Sequence, residues 1–326
     1  MLRCRTPCYD QMGLIELKHM GRHCSKQIRR GVGQLTLVEH ALCPLDARES
    51  ITTNLLHEAT FRYSDRQRQR RTGHARVFCP LGLSPKDEFY LWGLLAITLA
   101  DPNTDGELHA TRHYCLRRLG VINQGSKRGG RQYRDFSSAI ERLAAVRYQC
   151  DRFYDPIRAE HRKVSFGFFS YSIPTEDESS RAWRFVWDPV FFEFALASGG
   201  SLRFDLDVFR KLDSASRRMY LMLAKLFYRK TLTPRLDVKD FAEQTLGIAP
   251  TVSLRDKKSR LRRCINNLRK HRVISSGDIS RLRIGAYAMV LHRGPIFDDR
   301  ATGEDTYESP MLEPLVELGF DLSGAN

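Results

Sequence analysis

SLRDKKSRLRRCINNLRKHR, residues Ser253–Arg272, is the stretch on which the reading of this chain turns. At about 100° per residue, Leu254, Leu261, Ile265 and Leu268 fall on one narrow stripe. Arg255, Lys258, Ser259, Arg262, Arg263, Asn266 and Lys270 are left along the flank and back. Such a helix packs its stripe on a domain and offers arginine and asparagine outward. In a major groove, arginine pairs bidentately with guanine and asparagine with adenine. A basic face that merely meets water is the competing reading. The sequence that follows favours the first: β-prone Val273–Ser275, a Ser-Gly-Asp turn at 276–278 and Leu282–Leu291 (LRIGAYAMVL) read as a wing.

Upstream of that helix, Asp205–Leu212 and Ser214–Arg229 read as helices, Leu232–Leu236 as a short strand, and Val238–Leu246 as a helix ended by Gly247. The same order is expected earlier in the chain. A helix over Pro85–Ala100 is entered through Ser84-Pro85, a capping serine and a proline at the first helical position. A short helix, Leu108–Leu119, stops at Gly120. In a third, Tyr133–Ala145, Phe136, Ile140, Leu143 and Ala144 face inward, leaving Arg134, Asp135, Ser138, Glu141 and Arg142 outside. Strands over Val164–Ile173 and Ala182–Trp187 then flank the polar turn PTEDESS. A further hairpin is expected from Thr60–Tyr63 and Ala75–Cys79, with the arginine-rich Ser64–His74 at its tip.

The fold class expected is therefore α+β, two tandem winged-helix (helix-turn-helix) domains with β-hairpin wings. The division expected is an N-terminal extension, partly disordered, over 1–58, domains over 59–198 and 199–294, and an acidic tail over 295–326. In the first domain, Gly125–Arg134 (GSKRGGRQYR) brings Lys127, Arg128, Arg131 and Arg134 to a helix entry, where backbone amides and cations can hold phosphate. Arg142 extends that basic face. In the second domain the candidate DNA contacts are Arg255, Lys258, Ser259, Arg262, Arg263, Asn266 and Lys270.

Charge points to the same partner. The 326 residues carry +15, and the tail from Pro295 alone is −7, so the body holds the +22 difference. A surface so basic selects nucleic acid or an anionic membrane. The longest apolar run, Tyr90–Ala100, is about half the roughly 20 residues of a spanning helix, so no membrane partner is expected. Eight scattered cysteines and no signal segment imply reduced thiols and a cytoplasmic protein.

Catalytic and metal motifs are partial. The Gly-x4-Gly-Lys-Ser/Thr spacing of a phosphate loop is absent, as is the His-hydrophobic-His pair of a nickase, so no enzyme activity and no cofactor are expected. Asp101-x-Asn103-x-Asp105-Gly106 opens like a calcium loop, but its twelfth position is Arg112 where a bidentate glutamate belongs. Cys4, Cys8, His19, His23 and Cys24 approach zinc-finger spacing with too short a central gap. Asp205 and Asp207 sit where a helix begins, which the helix dipole explains without a metal.

Several stretches carry a resemblance. Gln34–Asp46 (QLTLVEHALCPLD), Gly129–Leu143 (GGRQYRDFSSAIERL), Trp187-Asp188-Pro189 with Phe191 and Phe192, and Leu206–Lys230 (LDVFRKLDSASRRMYLMLAKLFYRK) resemble the plasmid replication initiator protein A family. The similarity runs from about residue 34 to 293. It implies binding to double-stranded DNA at origin repeats (iterons), opening of adjacent DNA and recruitment of host replication proteins such as the replicative helicase. Repression of its own promoter is a further role that the resemblance brings. Monomer and homodimer both stay open, and a stand-alone winged-helix transcriptional regulator is the alternative function.

Overall fold

The computed structural model describes residues 27–65, 67, 69–122, 130–175, 182–228 and 230–298. Strand β1 (Arg30–Gln34) leads through a 3-10 turn and helix α1 (Ala47–Ser50) to the hairpin β2 (Leu55–Ser64) and β3 (Arg70–Cys79). Helix α2 (Asp87–Thr98), β4 (Glu107–Ala110), α3 (Arg112–Arg118) and α4 (Gly130–Ala144) follow. Strands β5 (Arg147–Asp155) and β6 (Glu160–Phe166) precede β7 (Phe169–Ser172) and β8 (Trp183–Trp187). Helix α5 (Pro189–Leu196) and β9 (Ser201–Asp205) lead into α6 (Leu206–Lys211), α7 (Ser214–Leu226), β10 (Leu236–Asp237) and α8 (Val238–Asp240), which runs on as a π-helical turn to Thr245. Helix α9 (Leu254–Lys270) and the hairpin β11 (Ile274–Arg283) and β12 (Ala286–Arg293) complete the order.

The fold is α+β with small antiparallel sheets. One element order occurs twice: helix, strand, helix, helix, two strands, as α2 to β8 and as α7 to β12. Sheet topology repeats too. The lone strand of each unit pairs with the last strand of its hairpin, giving β4-β8-β7 and β10-β12-β11. In the first unit β5 and β6 are inserted before the hairpin and join β2 and β3 in a four-stranded sheet, β2-β3-β5-β6.

Three expectations change. Leu108–Leu119 is not one helix: Leu108 lies in β4 opposite Phe185, and Thr111 caps α3 by accepting the Tyr114 N–H at 3.1 Å, so helix starts only at Arg112. The run Val164–Ile173 serves two sheets. Phe166 pairs with Tyr148 in one and Phe169 with Trp187 in the other, and the break falls at Gly167, whose N–H donates to Asp188 Oδ2 at 3.1 Å. The stretch 27–58 contains β1, a 3-10 turn, α1 and the start of β2. All five residues of β1 pair with β9, and β2 begins at Leu55, so a boundary at 59 falls inside a strand. The ring of Phe204 comes so near Gly31 that a Cβ there would lie 2.3 Å from it, which explains the glycine at that position.

Helix α2 is buried at every position, and the core continues without interruption from it into both units. Two carboxylates at its N-terminus are therefore buried. Asp87 accepts from Arg142 at 2.7 and 2.8 Å, and Glu88 accepts from Arg218 at 2.9 and 2.6 Å. Arg218, on α7 of the second unit, also donates to the Leu246 carbonyl at 2.7 Å and to Cys43 Sγ at 3.2 Å. The two units and the 40–43 segment thus meet at one guanidinium. Among the described residues no helix is long and apolar enough to cross a membrane.

Two histidines border this junction. His40 is buried, with Nε2 2.9 Å from the Tyr148 hydroxyl, and burial pulls it down to about 4. His57 is pulled to about 4 by burial and then by Arg218, and its buried Nε2 has no hydrogen-bond partner among the described residues. The unfolded chain takes up these protons near pH 6.5, and the folded chain resists until about pH 4. The sign follows: stability is intact above pH 6.5 and declines as pH falls towards 4, by up to roughly 1.4 kcal/mol per pH unit for each histidine. Urea titrations across that window should show a shallower decline in His57→Gln. An unchanged slope would remove His57 from the account.

Candidate nucleic-acid interface

Ser253 caps α9: its hydroxyl accepts the Asp256 N–H at 3.1 Å and donates to Asp256 Oδ2 at 2.7 Å. Leu261, Cys264, Ile265 and Leu268 are buried along the inner face, and Leu254 is half-buried at its start. Lys257 is buried with them, its Nζ donating to Glu243 Oε1 at 2.7 Å and to the Pro250 carbonyl at 3.0 Å. Asn267 ties the helix to α7 through Asp213 Oδ2 at 2.9 Å. The opposite face is open. Arg255, Ser259, Arg262, Arg263, Asn266 and Lys270 are exposed and share, with half-buried Lys258, an arc of roughly 140°. All seven candidates of this helix thus lie on one cationic strip.

The hairpin adds to that strip. Lys258 Nζ stands 3.7 Å from the centroid of the Tyr287 ring on β12, a cation–π contact that holds α9 and the hairpin in fixed relation. The Tyr287 phenol is pulled below its ordinary range first by Lys258, and the charges of Arg281 and Arg262 act in the same direction. Helix and hairpin therefore share one positive field. Arg281 and Arg283, both exposed on β11, belong to this surface and were not among the sequence candidates. The signal was present in Arg281-Leu-Arg283, but strand periodicity gives no weight to charge.

In the first unit the candidates separate. Arg131 and Arg134 are exposed on α4, and Arg131 Nε lies 3.7 Å from Asp135 Oδ2 one turn on. Lys127 and Arg128 lie outside the described residues. Arg142 is corrected: it is bidentate to buried Asp87 and holds the start of α2, so its charge is spent inside the protein. A neighbouring group replaces it. The Arg112 guanidinium lies 5.6 Å from the Trp183 ring centroid and 5.9 Å from that of Tyr133, and donates to Ser137 Oγ at 3.4 Å. His113 Nδ1 is 2.7 Å from the Tyr133 hydroxyl. This cluster was missed because its partners, Tyr133, Ser137 and Trp183, lie on other elements and no local pattern joins them to Arg112 and His113.

The chain is similar in fold to domains 2 and 3 of RctB. The crystal structure of the SeMet derivative of those domains gives a TM-score of 0.50 at 15% identity, covering 79% of this chain and 96% of that one. A second crystal structure of RctB domains 2-3, residues 155–483, gives 0.47 at 13% identity, with 80% and 97% covered. No family model and no curated protein matches the sequence.

The remaining motifs have local explanations. Asp101 Oδ1 accepts the Asn103 N–H at 3.0 Å and Asp105 Oδ1 the Glu107 N–H at 3.1 Å, so both close turns between α2 and β4. Asp205 caps α6 through the Val208 N–H at 2.9 Å, and Asp207 pairs with Arg210. Cys4, Cys8, His19, His23 and Cys24 lie outside the described residues, as does the acidic tail from residue 299.

Proposed function

We propose that this chain is a replication initiator that binds double-stranded origin DNA through two winged-helix units, with no catalytic centre of its own. The observation that carries the reading is the cationic strip of α9 joined by Lys258 to a hairpin bearing Arg281 and Arg283. A basic helix with a hairpin fixed beside it can lie in a major groove with the hairpin over the adjoining backbone. The likeness of fold to RctB domains 2 and 3 supports the architecture on which this reading rests. A plasmid origin with iterons is the finer part of the proposal and rests on the resemblances at Gln34–Asp46 and Leu206–Lys230. Host replication proteins, the helicase among them, are its proposed protein partners.

The test is functional. The gene with its flanking DNA, placed on a plasmid whose own origin is silent in the host, is expected to support replication, and Arg262→Ala to reduce it sharply. The purified chain should leave supercoiled plasmid uncut in magnesium or manganese. Binding of flanking DNA without replication would favour the transcriptional regulator, and metal-dependent nicking would overturn the non-catalytic assignment.

A further inference from the structure

The tip of the second hairpin does not look like a structural turn. Ser280–Gly285 (SRLRIG) is exposed throughout, and the turn is closed by Gly285 at φ +76. Leu282 is 56% and Ile284 88% exposed, and among the described residues neither packs against the core. The pairing runs Arg281↔Tyr287 and then Arg283↔Ala286, so Leu282 is a bulged residue, a device that re-aims side chains at the end of a ribbon. Two apolar groups thus alternate with two arginines at the projecting end of the hairpin.

The geometry points to a DNA wedge: Leu282 and Ile284 enter the minor groove beside the site of α9 and unstack a base step there. The inference rests on the DNA-binding reading above. Charge complementarity selects the occupant. Arg281 lies in the same positive field as Lys258 and Arg262 around Tyr287, so the tip continues the cationic strip of α9. The hairpin begins at Ile274, four residues after α9 ends, which ties its base to the helix that fills the major groove. Proteins that kink DNA insert apolar side chains of this kind between base steps, with arginine or lysine alongside, and bend the duplex by about 20–90°. The cost is lowest at flexible pyrimidine–purine steps such as TA. Unstacking at such a step gives strand opening a starting point next to the bound site.

The test uses the full chain and duplexes that it selects from a random-sequence pool, with 2-aminopurine placed at successive A·T positions. The intact chain is expected to raise fluorescence several-fold at one step flanking the α9 footprint and to bend the duplex. Leu282→Ser with Ile284→Ser, both at exposed positions, should abolish the fluorescence rise and the bend while affinity falls less than about tenfold. Arg281→Ala with Arg283→Ala should weaken binding and lower its salt dependence. An unchanged bend and fluorescence in the serine variant would overturn the wedge and assign the tip to a protein partner. Failure of the intact chain to select any duplex would overturn the DNA-binding reading and the wedge with it.

Discussion

Glu88→Ala is expected to lower the free energy of unfolding by about 3–5 kcal/mol, because it strands the Arg218 guanidinium inside the protein. Both side chains are almost wholly buried, at 4% and 7% exposure. Among the described residues the cation would keep the Leu246 carbonyl and the Cys43 thiol as partners. Neither neutralises it: burial pushes the Cys43 thiol up to about 12, so it stays protonated at neutral pH. The double variant Glu88→Ala, Arg218→Met should recover most of the loss, since an apolar replacement of a buried ion pair costs far less than half a pair. Denaturant titration of the three proteins checks both statements. A loss below about 1 kcal/mol for Glu88→Ala would mean that water or a rearrangement reaches Arg218, and that the two units are not locked there.

Arg255→Ala, Arg262→Ala and Arg263→Ala combined should lower affinity for the selected duplex at least about 30-fold and leave folding unchanged. The lower bound follows from about 1–3 kcal/mol for each arginine that reads a base, with at least two of the three doing so. Exposure of all three makes a stability effect small. Any of them that instead meets phosphate should lower the slope of log affinity against log salt by about 0.9. Gel-shift titrations on selected and random duplexes separate the two roles. Equal losses on both would place the arginines on phosphate, and no loss on either would remove α9 from the interface.

Helix α9 was legible because every signal for it is local: a capping serine, an apolar stripe, and a basic arc on the far side. Its two adjacent lysines show the limit. Lys257 is buried against Glu243 and Lys258 stacks on Tyr287, and only the tertiary partners distinguish them. Arg142 fails for the same reason, since its partner Asp87 lies 55 residues earlier and no helical periodicity announces it. The repeated helix order could be read, but the strand β4 could not, because four residues before a capping threonine carry too little pattern to be told from a helical turn. Strand β1 was hidden by its two glycines, which lower strand propensity, and only Gly31 is set by the Phe204 ring.

Two DNA-binding units held in fixed relation by the Glu88–Arg218 junction is the central claim. Hydroxyl-radical footprinting of the intact chain on its selected duplex tests it most directly. Engagement of successive major grooves by both units should protect two patches on one face of the duplex, about one helical turn or roughly 10 bp apart. The patch assigned to α9 should vanish with the triple arginine variant, and the other should weaken with Arg131→Ala and Arg134→Ala. Protection confined to one groove, unchanged by substitution in the first unit, would contradict the account.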